Sequence, residues 1–206
     1  MLSYGYKEMN HMKKLIFSLL ICSIFLTGCT ENPDSAFTPL GELPSDYTVE
    51  EAKDDGCVII ENGDVTSGQN FWDSFVEQTR RSDDAYVRYC HYYTIEDPSR
   101  YAPEYYEEIK ADYPKIYVHD LSFDGDTYTD RYFEGDNENV REYKYLMKYE
   151  DAPESEWATY VSCTRYVLTN DNTVTWDDIT RSMYSSLSIS YIDHLTVYCD
   201  YVYKDE

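Results

Sequence analysis

Lys115-Ile116-Tyr117-Val118-His119-Asp120-Leu121-Ser122-Phe123, then Asp124-Gly125, then Asp126-Thr127-Tyr128-Thr129-Asp130-Arg131-Tyr132-Phe133, is the stretch that decides the fold. Tyrosine, valine and threonine suit a pleated, half-buried surface, so both runs predict strands. Asp-Gly between them is a tight-hairpin signal. Working outward, runs of the same character lie at 85–94, 140–149, 158–169 and 190–203. Cys57-Val58-Ile59-Ile60 is a compact apolar run, read as a buried strand. Gly135-Asp136-Asn137-Glu138 and Asn170-Asp171-Asn172 supply turns.

Helices fall between these strands. Thr48 and Glu51 fit a capping box that opens a short helix to about Asp54. Residues 67–81, capped by Ser67 or Thr66, carry Phe71, Trp72, Phe75 and Val76 at helical spacing. Pro103 near a first turn predicts a helix from 103 to 111. Thr175 caps a last one to about Tyr184. The order implies an α+β fold: a mostly antiparallel β-sheet meander with helices packed on one face.

The start of the chain reads differently. Lys13 and Lys14 precede a run of roughly a dozen apolar residues, short of the ~20 a spanning helix needs. The run ends at Leu26-Thr27-Gly28-Cys29, the layout of an export signal. Met12-Lys13-Lys14-Leu15 makes a compact opening, and Lys7-Glu8 can be encoded by a ribosome-binding sequence, so translation from Met12 is an expectation beside translation from Met1. Residues 1–28 are read as signal peptide, 29–47 as a flexible tether and 48–206 as one globular domain. Pro33, Pro39 and Pro44 stiffen the tether, whose reach is on the order of 50 Å at ~3.1 Å per residue.

Leu26-Thr27-Gly28-Cys29 resembles the lipobox of bacterial lipoproteins. That resemblance implies a diacylglyceryl group on Cys29, cleavage before it, and a mature chain held at the extracytoplasmic face of the cell membrane. Gly63-Asp64-Val65, Tyr93-Thr94-Ile95 and Asp124-Gly125 are similar to an uncharacterised domain of Gram-positive lipoproteins, over roughly residues 48–170. That family brings no known activity.

Composition narrows the partners. The chain has 17 basic and 40 acidic residues. Setting aside Lys7, Lys13, Lys14 and Glu8 leaves 14 and 39, a charge of −25 on residues 29–206. Phosphate backbones repel such a chain, which excludes nucleic acid as an expected partner. Anionic headgroups repel it too, so acyl chains are left to hold it at the membrane.

Cys57, Cys90, Cys163 and Cys199 remain besides the lipid site, and four cysteines allow three pairings. Buried free thiols are one reading. A disulfide between Cys163 and Cys199, on two late strands, is the other. No Cys-x-x-Cys, His-Glu-x-x-His or twelve-residue calcium loop occurs, so neither a metal nor a cofactor is expected. The acidic turns at Asp124-Gly125-Asp126 and 134–138 read as solvated hairpin ends.

His91, His119 and His194 fall on expected strands. With Cys90 or Cys163 and an aspartate they would form a hydrolase site, although no motif supports one. The 24 tyrosines are the stronger signal. Tyr143, Tyr145 and Tyr149, alternating along one strand, are the candidate binding face. Exposed tyrosine beside carboxylate suits a sugar ring or a peptide. The expectation is therefore a lipid-anchored, non-catalytic binding domain for protein or cell-wall glycan. The alternatives are a surface hydrolase and a purely structural envelope component.

Overall fold

The computed structural model describes residues 37–95, 97–153, 158–184 and 191–204. The lipobox residues Lys13, Lys14, Leu26, Thr27, Gly28 and Cys29 lie outside them. The globular unit runs from Phe37 to Glu206 and so takes in 37–47, the end of the expected tether. Phe37 and Tyr47 pack on the sheet below them.

The fold is α+β and mostly antiparallel. In chain order the elements are α1 (Val49–Asp54), β1 (Val58–Glu61), β2 (Asp64–Ser67), α2 (Gln69–Arg80) and β3 (Ala85–Tyr93). Then come α3 (Pro103–Ile109), β4 (Lys115–Phe123), β5 (Tyr128–Glu134), β6 (Asn137–Tyr143) and β7 (Tyr145–Asp151). The chain ends with β8 (Tyr160–Thr169), α4 (Trp176–Tyr184) and β9 (His194–Tyr203). One sheet has the order β2-β1-β3-β4-β5-β6 and the other β7-β8-β9. Strands β3 to β6 form a meander, whereas β1 and β3 run parallel, linked through β2 and α2.

A parallel strand covered on both faces reads as an unbroken apolar run, which is what Val58-Ile59-Ile60 is. Val58 and Ile60 face α2, where Trp72, Phe75 and Val76 complete the larger core with Val87 and Leu121. Cys57 and Ile59 face the other way, toward Val49 and Ala52 of α1. Trp72 also reaches the second sheet, stacking on Tyr198 at 4.9 Å and meeting Tyr166 edge-on. Helix α2 thereby ties the two sheets together.

Local signals hold where they are self-contained. Thr48 Oγ1 accepts from the Glu51 N–H at 3.2 Å, and the Glu51 carboxylate accepts from the Thr48 N–H at 2.8 Å. Two expectations need correction. Helix α2 starts at Gln69 after Gly68, because 64–67 form an edge strand rather than a cap. The single strand expected over 140–149 is two strands in different sheets, parted at Lys144. There the Lys144 amide donates to Asn170 Oδ1 and its ammonium pairs with Asp126 at 2.6 Å.

Candidate functional site

Side chains alternate across a strand, so Tyr89, His91 and Tyr93 of β3 share a face with Tyr117 and His119 of β4. Register brings Tyr132 of β5 beside His119, and Arg141 of β6 beside Asp130 of β5. Along this face the sheet passes from apolar core to open surface. Phe123, Tyr128 and Tyr143 begin it, Asp130 follows, then a layer of Tyr89, His119 and Tyr132, then His91, Tyr93 and Tyr117.

The middle layer is a cross-strand stack. His119 lies between Tyr89 and Tyr132, with ring centres 4.8 Å away on each side. Arg141 continues it, its guanidinium 5.2 Å from the Tyr132 ring centre and donating to the Tyr132 hydroxyl at 2.8 Å. Asp130, 0% exposed, anchors the stack from beneath. It accepts from the Tyr89 hydroxyl at 2.7 Å and lies 3.2 Å from His119 Nδ1. An ionised carboxylate only accepts, so Nδ1 then carries the proton and Nε2 of a neutral ring has the lone pair. Burial, then the Asp130 charge, hold the Tyr89 phenol well above its ordinary value, which keeps it a donor.

The outer layer is open. Tyr93 and Tyr117 are 40% and 48% exposed and meet edge to face at 6.0 Å. His91 stacks beside Tyr93 at 6.2 Å. Burial, and then the neighbouring His119, push the His91 pKa down to about 4, so the ring is neutral at pH 7. Two flat phenol faces, a neutral imidazole and a stacked floor make a platform with both apolar and hydrogen-bonding character.

The residues singled out from sequence are placed elsewhere. Tyr143 is 2% exposed and belongs to the core. Tyr145 is exposed on β7, and the half-buried Tyr149 donates its hydroxyl to the Val174 carbonyl at 2.8 Å. The three do not make one face, because the chain changes sheet at Lys144. Of the histidines, His91 and His119 come together, while His194 sits on β9 with Nδ1 2.8 Å from the Ile192 carbonyl. Cys90 is buried on the opposite face of β3 with Ile59, and Cys163 is in the other sheet. No described thiol therefore shares the face of His119. Cys163 and Cys199 do meet, sulfur to sulfur at 3.4 Å. Among the described residues, no group of three or more His, Cys, Asp or Glu is placed to hold a metal ion.

Tyr132, Asp130 and Arg141 are site residues that no sequence motif marks. The alternations Tyr89-x-His91-x-Tyr93 and Tyr117-x-His119 are a usable signal for part of the platform. The chain matches no protein-family model, no curated protein and no solved structure.

Proposed function

We propose that the chain is a lipid-anchored cell-surface module that binds glycan, without chemistry of its own, on the outer layer of the tyrosine and histidine face. One observation carries this reading: Tyr93 and Tyr117, both exposed, pack against each other on a sheet whose next layer is the stack of Tyr89, His119 and Tyr132. Their ring faces suit the C–H surfaces of a sugar, and their hydroxyls with His91 suit its hydroxyl groups. A charge of −25 on residues 29–206 disfavours a polyanionic polymer, so the ligand is a neutral or cationic glycan. Attachment through Cys29 would leave the acidic domain standing off the headgroups.

Retention of the purified protein on insoluble cell-wall polysaccharide tests the reading. Tyr93→Ala with Tyr117→Ala is expected to cut retention at least tenfold with the unfolding midpoint little changed. Equal retention of this variant and the wild type sinks the assignment of the face. Palmitate labelling that survives Cys29→Ser sinks the anchor separately.

A second reading has one specific contact behind it. Asp130 orients His119 as a carboxylate orients a general base, which suits hydrolysis by an activated water. Release of soluble sugar during the retention assay, abolished by His119→Gln, would favour it over binding alone.

A further inference from the structure

The four cysteines of the globular unit fall in two pairs, both away from the tyrosine face. Cys57 leads into β1 and Cys90 lies in β3; both are buried in the smaller core beneath α1. Strand β1 runs parallel to β3 with Ile59 opposite Cys90, so Cys57 lies one pleat repeat along the same face. Cys57, Ile59 and Cys90 pack together in that core. Cys163 and Cys199 are related in the same diagonal way on antiparallel β8 and β9, with Cys163 opposite Tyr201 and Cys199 opposite Arg165. Their sulfurs are 3.4 Å apart. A disulfide needs about 2.05 Å between sulfurs, so Cys163 and Cys199 must draw together by more than about 1 Å to form one.

Of the three pairings that four cysteines allow, the fold brings together one. The first pair belongs to the six-stranded sheet and its α1 cover and the second to the three-stranded sheet, so each thiol has one other cysteine on its own side of the fold. We propose that the globular unit carries two disulfides, Cys57–Cys90 and Cys163–Cys199, formed by exchange with an oxidised dithiol carrier.

For each bond a thiolate attacks one sulfur of the carrier's disulfide and breaks it, giving a mixed disulfide. The second thiolate then displaces the carrier. One S–S bond forms in the chain, and two electrons with two protons, the equivalent of those the thiols give up, pass to the carrier, which leaves as its dithiol. Cys57 and Cys90 are sealed under α1, so exchange at that pair takes place while that segment is open, and closure of the core protects the product. Each bond staples neighbouring strands across a long stretch of chain: β2 and α2 lie between Cys57 and Cys90, and α4 lies between Cys163 and Cys199.

An oxidising compartment follows from the export reading, but the exchange equilibrium does not depend on it. The test uses the purified full chain, equilibrated in glutathione buffers from reducing to oxidising, alkylated under denaturing conditions and mapped by peptide mass. Peptides linked Cys57 to Cys90 and Cys163 to Cys199 are expected at the oxidising end, each short by two hydrogens. Cys163→Ser is expected to remove only the second link, and Cys90→Ser only the first. Reductant is expected to lower the wild-type unfolding midpoint. Unlinked peptides at the oxidising end, or links in any other pairing, overturn the proposal; one link without the other overturns the missing pair. Failure of the anchor reading would show in palmitate labelling and leave this map unchanged.

Discussion

His91 is held neutral by its place on β3, and that has a consequence for stability. In the unfolded chain its imidazole takes a proton near 6.5, whereas in the folded protein it does so only near 4. Between those values the unfolded state binds the extra proton. Stability from this residue is therefore complete above about pH 6.5 and is lost as pH falls toward about 4, by on the order of 3 kcal/mol in all. His91→Gln removes the titration and leaves the carboxylates in place. Urea unfolding of both proteins at several pH values is expected to show the wild type losing stability over that window more steeply than the variant. Parallel curves would mean that His91 stays solvated in the native state. The residue itself was legible as one tyrosine-flanked position in an alternating strand. Its neighbour Asp130 was not, because only the β3–β4–β5 register sets a carboxylate of β5 under His119 of β4.

The junction between β2 and α2 shows what an element needs from its ends. Gly68 has φ +79°, and a Cβ there would lie 2.5 Å from the Cys57 carbonyl oxygen and 2.8 Å from Val58 Cα. Both are backbone atoms that cannot step aside. Gly68→Ala adds left-handed strain to that clash and is expected to cost more than about 2 kcal/mol, read as a lower urea midpoint with an unchanged slope. A midpoint within error of wild type would show that the junction can shift. The helix body was legible because Trp72, Phe75 and Val76 repeat at its own period. Its first residue was not, since 64–67 are too short and polar to announce an edge strand. The same distinction separates the hairpin at Asp124 from the break at Lys144. Asp124 Oδ1 accepts from the Asp126 and Thr127 amides, all within four residues of chain. Lys144 is held by Asn170 and Asp126, and the alternation of tyrosines runs through it without a signal.

At the scale of the whole molecule, charge decides how stability responds to solvent. Forty acidic residues against 17 basic ones leave −23 at pH 7, and the exposed pairs such as Arg181–Asp177 and Lys110–Glu107 offset little of it. Folding gathers these like charges into a smaller volume, so their mutual repulsion opposes the compact state. Salt screens that repulsion: raising ionic strength from about 0.01 M to about 0.15 M shortens the Debye length from about 30 Å to about 8 Å. Surface ion pairs weaken over the same range, but they are outnumbered. The buried Arg88–Asp120 contact, with Arg88 1% exposed, is screened far less. The thermal unfolding midpoint is therefore expected to rise as sodium chloride is added over this range and to level off once the Debye length is short. Scanning calorimetry at fixed pH reads it directly. A midpoint that falls with salt would mean that attractive surface pairs outweigh the net charge, and the picture of an acidic domain repelled by headgroups, and by itself, would have to be given up.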